Sequence, residues 1–481
     1  MKVAIVHYHL EPGGVTRVIE NTLAAWAEMG KAIETVVLSG RPYSGKSIPD
    51  TRVIQGLDYA TPEQAISPEL LMDRMKEEAR NSLGGMPDLW HVHNHSLGKN
   101  PSLTKACAML AQTGESLLLH PHDFAEDGRP HNFKALKEVY SHAYPSSSRI
   151  HYAALNNRDR LFLSNLLASS DSRVHLLANS IPKFGAFGDA DPVDTSLPEN
   201  LFLYPVRAVR RKNLGELALL AAAHPDKHFA NSLGPTNPAF NPQFERWKSF
   251  ARESDLPLTY GLGELIDCSF PSMVSGSEAI VSTSVAEGFG LGFLEPWTFG
   301  KSLCGRNLQE ITGDFSVHGV QLDNLYSRLE VDLELLPDPV ALIQRIKTAL
   351  TNFFNDYGEA LPSGASQEAY ESFVIENQVD FGRLDEPLQQ EVIRAVINSE
   401  EASAAIRTQS AITCLPQNRI ELNARAVQEN FSMEAYGTKL IQIYQDLIRV
   451  PSSDGKVGFA KGRNLLKQFL SPSRLNLLRT D

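Results

Sequence analysis

The chain has 481 residues, and a single hydrophobic core stops growing at roughly 250–300 residues, so two domains are expected. Hydrophobic residues make up 42% and charged residues 21%, which excludes a disordered or fibrous chain and fits a soluble enzyme. The net charge of −12 argues against a surface that wraps nucleic acid, and a phosphate-bearing ligand would need local cations.

Short β-branched runs alternate with segments of helical period, the pattern of parallel sheets built from βαβ units. The first strand is predicted over residues 2–8. The helix after it places Val15, Val18, Ile19, Thr22, Leu23 and Trp26 on one face and stops at Gly30. Further strands over 34–40, 89–95, 116–123, 149–156 and 174–181 complete a doubly wound domain, residues 1–182. A linker rich in Pro, Gly and Asp is predicted over 183–199. A second α/β series follows, with strands over 201–208, 257–263, 278–285 and 301–307 in a domain spanning 200–430. Within it, residues 323–408 are long, charged and helical by pattern, and read as an insertion or helical subdomain. Residues 431–481 hold helical segments and a basic tail.

Cys107, Cys268, Cys304 and Cys414 are scattered without a CxxC pair, so neither a disulfide framework nor a thiolate zinc site is expected. The chain enters its first strand without the pattern of a signal peptide. Its longest near-continuous apolar run, 217–223, is far below the ~20 residues that span a bilayer. A cytoplasmic protein without a spanning segment is the expectation.

In an open parallel sheet, ligands bind beyond the carboxyl ends of the strands, and four candidate positions fall there. Gly13 and Gly14 precede the first helix, where glycine lets a ligand approach and unpaired N–H groups face an anion, or where the chain makes a plain tight turn. Arg207 closes a strand and Lys212 lies five residues on. Two such cations suit a diphosphate, and the same run also reads as a solvated basic turn or a nucleic-acid contact. The third is "EGFGLGFLE", residues 287–295, running from a strand through glycines into a helix. Glu287 and Glu295 can accept hydrogen bonds from vicinal hydroxyls, and the N–H groups of Phe289 to Gly292 can cradle an anion or sugar hydroxyls. The two glutamates also admit a helix-dipole role or a glycosidase acid/base pair. The fourth is histidine. His91, His93 and His95 share one strand face by period two, and His120, His122 and Asp123 close another strand. Such a cluster suits either a divalent metal in a hydrolase or polar ligand contacts.

Taken together, Gly13 and Gly14, the Arg207 to Lys212 spacing and the E-x7-E element resemble the retaining glycosyltransferases of family 4. The stretch 416–447 is similar to that family's closing helices. The resemblance covers roughly residues 1–310 and 416–450. It implies an α/β GT-B architecture: two Rossmann-like domains facing a cleft, the first on the acceptor side and the second binding donor nucleotide. By resemblance, Glu295 binds the ribose hydroxyls, Glu287 lies against the donor sugar, and Arg207 and Lys212 hold the diphosphate. Phe289, Gly290 and Leu291 contact phosphate or sugar through the backbone, Gly13 and Gly14 let phosphates and acceptor approach, and His122 lines the sugar pocket near the reacting carbon. The catalytic set implied is His122, Arg207, Lys212 and Glu287. Asn179 lies where the family often has Asn-Gly, with Ser180 in place of the glycine. Glu310 stands where a later family glutamate is expected.

The reaction implied is front-face transfer of a hexose, with retention, from a nucleotide-diphosphate sugar to a hydroxyl of a small soluble acceptor. The leaving phosphate oxygen assists deprotonation, and the scheme requires no metal or other cofactor. The runner-up is a GT-B phosphorylase or sugar-nucleotide epimerase. More distant is a metal-dependent hydrolase built on His91, His93 and His95. The residues "DAD" at 189–191 sit in the predicted linker with no strand before them and are set aside.

Overall fold

The computed structural model describes residues 1–168, 173–182, 196–451 and 456–480. Most of the predicted linker, 183–195 with its "DAD", lies outside them. The chain divides into two compact units. One comprises Met1–Pro182, Asp356–Gly358 and Asn430–Ser471; the other comprises Lys183–Asn355, Glu359–Glu429 and Pro472–Asp481.

The first unit is built on a seven-stranded parallel sheet. Its strands are β1 (Lys2–Val6), β2 (Glu34–Ser39), β3 (Thr51–Val53), β4 (Leu89–His93), β5 (Leu117–His120), β7 (Ile150–Ala154) and β8 (Val174–Leu176), with β6 (Pro145–Ser146) outside this sheet. The order is β3-β2-β1-β4-β5-β7-β8. β1 shows why it is buried on both faces. Ala4 and Val6 pack with Val36, Leu38 and the helices over 68–83 and 101–112, whereas Val3 and Ile5 pack with Val37, Leu118 and the helix over 14–28. The helix Met433–Ile448 covers that second face, burying Tyr436, Leu440, Ile443, Tyr444 and Leu447 at spacings of three and four.

The second unit holds a five-stranded parallel sheet of β9 (Leu201–Arg207), β10 (His228–Leu233), β11 (Leu258–Tyr260), β12 (Ala279–Ser282) and β13 (Ser302–Gly305), in the order β11-β10-β9-β12-β13. β10 escapes sequence reading because "HFANSL" carries few β-branched residues. Its buried Asn231 joins strand ends instead, donating to the carbonyls of Val206 (3.2 Å) and Leu233 (2.7 Å) and accepting from the Gly261 N–H (3.0 Å).

The segment 323–408, expected to be helical, does contain helices Pro339–Asp356, Ala365–Phe373, Glu386–Ile397 and Glu400–Ser410. It also contains an antiparallel sheet of β14 (Glu330–Asp332), β15 (Val374–Ile375) and β16 (Gln378–Asp380), in the order β14-β16-β15. The β15–β16 hairpin closes through Glu376 and Asn377, both in the left-handed region (φ 51° and 66°), as a tight two-residue turn requires. In the first unit, β17 (Gly458–Phe459) pairs with β6. Among the described residues, no helix is long and apolar enough to cross a membrane.

Candidate functional site

Each parallel sheet reverses its strand order once, between β1 and β4 in the first unit and between β9 and β12 in the second. Lys212 lies in the loop beyond β9, Glu287 to Glu295 beyond β12, Gly13 and Gly14 beyond β1, and His122 just beyond β5, the neighbour of β4; open α/β sheets bind ligands at such strand ends.

In the second unit, Arg207 closes β9 with an exposed side chain and forms no ion pair among the described residues. The chain then makes a single turn over Arg210–Lys212 and enters Asn213 in the left-handed region, φ 51°. This loop is held from two sides. The Thr283 hydroxyl donates to the Lys212 carbonyl (2.9 Å), and the Val285 N–H donates to that of Arg211 (2.9 Å). Gln389, from the helix Glu386–Ile397, donates to Asn213 Oδ1 (2.9 Å), while Asn213 Nδ2 donates to Glu216 (2.8 Å). So the segment 323–408 reaches the residue after Lys212.

Lys212 Nζ pairs with Glu287 Oε1, which also accepts from the Ser284 hydroxyl at 2.6 Å. Ser284 in turn lies 2.6 Å from the Tyr204 hydroxyl, and Arg211 Nε stands 3.9 Å from the second Glu287 oxygen. Glu295 feels the Lys212 charge as well. Burial raises its carboxyl above the ordinary range and Lys212 draws it back. The structure thus pairs Lys212 with Glu287, and Glu295 stands within the field of the same ammonium. The helix expected at Glu295 is a single turn, Glu295–Thr298, preceded by a 3-10 turn over Leu291–Phe293.

The glycine turn between the glutamates is set by its own packing. Gly290 has φ +92°, and a Cβ there would stand 3.0 Å from Phe293 Cδ2 and 3.1 Å from Ile311 Cγ2, so only glycine fits without a shift. The Phe289 ring is buried against Phe315, with centroids 5.4 Å apart. Leu291 is exposed and Gly292 faces open space. Glu310 is engaged by both Arg474 nitrogens, at 2.6 and 2.8 Å.

In the first unit, Gly13 stands before the helix Gly14–Glu28 in extended conformation (φ −179°), without a side-chain cap. A Cβ on Gly14 would meet nothing within 4 Å, so protein packing does not require this glycine. In the same unit the histidines of β4 and the end of β5 form a buried stack. His93 Nδ1 lies 2.8 Å from His122 Nε2, and His91 Nε2 lies 3.1 Å from His120 Nδ1. His91 Nδ1 meets the Tyr444 hydroxyl at 2.7 Å, and the His7 ring meets that of His93 edge-on at 6.2 Å.

His95 does not belong to this group. β4 ends at His93, and Asn94 enters the left-handed region (φ 56°), turning His95 toward the Ala143 carbonyl, 2.8 Å from its Nε2. The third member beside His91 and His93 is His120, with ring nitrogens of the three within 4.8 Å of one another. Burial keeps these rings neutral, lowering His122 to about 4 and His7 and His91 to about 3. Asn94, which sequence reading passed over, fixes His122: its Oδ1 accepts from the N–H groups of His122 (2.7 Å) and Asp123 (3.2 Å). The one available signal was its type, since asparagine is enriched in left-handed positions. Asn179 Oδ1 is buried without a hydrogen-bond partner among the described residues, and Ser180 accepts from Asn21 at 3.2 Å.

Four residues past His122 lies a group that makes stability pH-dependent. Glu126 Oε1 accepts from the hydroxyls of Tyr140 and Tyr144, both at 2.7 Å, while Oε2 has no partner among the described residues. Burial raises this carboxyl from 4.5 to about 7, against the two tyrosine bonds. The folded chain therefore binds a proton that the unfolded chain releases, and stability falls as pH rises from about 4.5 to about 7. The loss approaches ~3 kcal/mol at ~1.4 kcal/mol per unit. Glu126→Gln is expected to remove that slope in denaturant unfolding at about pH 5 and pH 8, and parallel wild-type and variant values would refute it.

No family model matches the chain. The mannosylglucosyl-3-phosphoglycerate synthase of Petrotoga mobilis is 23% identical, over 98% of this chain and 98% of that protein. Among solved structures, Anabaena HepE in complex with UDP and glucose superposes with a TM-score of 0.54 at 11% identity, covering 92% of this chain and 99% of that one. Sucrose-phosphate synthase from Thermosynechococcus elongatus gives 0.53 at 15% identity (93% and 99% covered). A glycosyltransferase from Rickettsia africae gives 0.52 at 14% identity (94% and 99% covered). At these identities the likeness shows the fold, which is that of the GT-B glycosyltransferases.

Proposed function

We propose that this protein is a glycosyltransferase that takes a hexose from a nucleotide-diphosphate sugar and transfers it, with retention, to a hydroxyl of a small anionic acceptor. The observation that carries the reading is the Lys212–Glu287 pair at the strand-order reversal of the second unit, with the largely buried Glu295 in the field of the same ammonium. One cation and two carboxylates supply the kinds of group a sugar diphosphate needs, a phosphate partner and hydroxyl acceptors. The fold, the relative from Petrotoga mobilis and the family 4 resemblance support the same chemistry. That relative's name describes a product ending in phosphoglycerate, and we extend an anionic acceptor to this chain on that ground.

In this reading Glu295 accepts hydrogen bonds from the ribose hydroxyls and Glu287 from a hydroxyl of the transferred sugar. Lys212 and Arg207 stabilise the charge that grows on the departing diphosphate, and the amides of Phe289 to Leu291 orient it. Gly13 and Gly14 leave room for a ligand at the start of the first helix. His122, neutral and oriented by Asn94 and His93, is the histidine that the family 4 resemblance assigns to the sugar pocket. The leaving oxygen takes the acceptor's proton, so the scheme uses neither an enzymic base nor a metal.

The test is calorimetric titration with a panel of nucleoside diphosphates and sugar nucleotides. One nucleotide is expected to bind at about micromolar strength, and Glu295→Ala to weaken it at least about tenfold, since a charged hydrogen bond contributes roughly 1.5–3 kcal/mol. If the wild type binds none, or Glu295→Ala binds as well as wild type, the reading falls.

A further inference from the structure

We propose that Lys99 is the recognition residue for the anionic group of the acceptor, a phosphomonoester or a carboxylate, with His9 and Tyr59 completing the site. This inference rests on the glycosyltransferase reading for the word acceptor; the anion site itself stands on the geometry.

Lys99 is held in place by its neighbours in sequence. Gly98 has φ +75°, and a Cβ on it would lie 2.1 Å from the Asn132 carbonyl oxygen, so the loop passes there only as glycine. Asn100 is fully buried. Its Oδ1 accepts from the Ser102 N–H (3.0 Å), starting the helix Pro101–Gln112, and its Nδ2 donates to the carbonyls of Gly56 (2.8 Å) and Asp58 (2.7 Å). The Lys99 carbonyl accepts from the Ala60 N–H at 2.8 Å. With the backbone fixed on both sides, Lys99 sets its Nζ 5.2 Å from the centroid of the Tyr59 ring.

The charges around it are otherwise matched. Arg41 pairs with Glu11 and Asp58, and Arg129 with Asp123. Lys99 is half-buried and forms no ion pair among the described residues, whereas the nearby carboxylates Glu11, Asp58 and Asp123 are held by arginines. A ligand anion supplies a counter-charge.

The position belongs to the strand ends already described. The Tyr59 ring meets His9 at 4.7 Å and Tyr8 at 5.3 Å. The Tyr8 hydroxyl donates to the carbonyl of Asn94 (2.7 Å), the residue whose side chain holds His122. Lys99 therefore stands one ring away from the β1 loop that leads to Gly13. His9 adds a directed donor: its Nδ1 accepts from the Glu11 N–H at 3.4 Å, which leaves the ring proton on Nε2. Ammonium, imidazole N–H and phenol form a set suited to an oxyanion, and none of them has to be displaced from a salt bridge.

The test titrates the full-length protein, wild type, Lys99→Ala and Lys99→Met, with 3-phosphoglycerate, inorganic phosphate and glycerate, and separately with the nucleoside diphosphate that binds best. Wild type is expected to bind 3-phosphoglycerate, and both variants to bind it at least about tenfold more weakly while nucleotide affinity and melting temperature stay unchanged. Lys99-dependent binding of inorganic phosphate identifies a phosphate site, and of glycerate alone a carboxylate site. If the wild type binds none of the three, or the variants bind them as well as wild type, the inference is overturned. Failure of the nucleotide titration with Lys99-dependent anion binding intact would sink the transferase reading and leave the anion site standing.

Discussion

Lys212→Ala is expected to lower the rate of sugar transfer by about a hundred- to a thousandfold at saturating donor, the loss typical when one preorganised stabiliser of transition-state charge is removed. The ammonium is partly buried, with its side chain 18% exposed, and its partner Glu287 is 12% exposed. In that partly desolvated setting a positive charge acts on a departing diphosphate more strongly than it would in water. Its position costs nothing at the moment of reaction, because Thr283 and Val285 already hold the backbone of its loop. Removing it also strips Glu287 of its nearest cation and leaves the Ser284 hydroxyl at 2.6 Å, with Arg211 at 3.9 Å. Lys212→Ala and Glu287→Ala should therefore be non-additive, the double variant falling well short of the product of the single losses. Single-turnover kinetics with wild type and the three variants measures this. A Lys212→Ala rate within about threefold of wild type would mean that the Lys212–Glu287 pair only braces the loop, and the catalytic assignment would move to Arg207.

Much of this was legible because the determinants are local. β1, β5, β9 and β12 announce themselves as short apolar runs ending in polar loops, and burial on both faces is what makes such runs continuous. Glu287, eight positions before Glu295 with glycines between them, pairs with Lys212, whose charge also acts on Glu295, and the turn over Gly290 between them is fixed by its own sequence. What was not legible depends on partners far away in the chain or on single backbone angles. The period-two reading of His91, His93 and His95 failed at Asn94, where one left-handed residue ends the alternation. His120, which the sequence reading already grouped with His91 and His93, enters the stack by parallel register with His93, and it is this register, not the grouping, that no single-strand pattern contains. β10 is held partly by Asn231 side-chain bonds, and the β15–β16 hairpin turns on Glu-Asn where a glycine would have been the usual signal. Gln389 lies 176 positions from the Asn213 it holds.

The largest stability effect is expected at another such long-range contact. Arg306, which follows β13, is 3% exposed and binds two carboxylates from distant segments. Its Nε and Nη2 donate to Glu216 at 2.8 and 2.6 Å, and its Nη1 and Nη2 to Asp380 at 2.9 and 2.8 Å. The Tyr326 hydroxyl donates to Glu216 at 2.8 Å. Arg306→Met keeps the length of the side chain and removes its charge, leaving two buried carboxylates that burial drives toward the protonated form. Removing one partner of a buried ion pair costs roughly 3–5 kcal/mol, which for a unit of this size lowers the melting temperature by about 6–20 °C at some 2–4 °C per kcal/mol. The sign with pH follows from linkage. In the variant the folded carboxylates have raised pKa values, so the folded state takes up protons that the unfolded state does not, and the deficit against wild type narrows as pH falls. Replacing the whole triad, with Arg306→Met, Glu216→Gln and Asp380→Asn, removes both stranded charges and should recover most of the loss. Because Glu216 also accepts from Asn213, the residue after Lys212, Arg306→Met is expected to weaken nucleotide binding as well as stability. Denaturant unfolding at two pH values checks this: a loss below about 1 kcal/mol, or one that does not change with pH, would mean that the carboxylates find other partners and that Arg306 does not hold this part of the unit together.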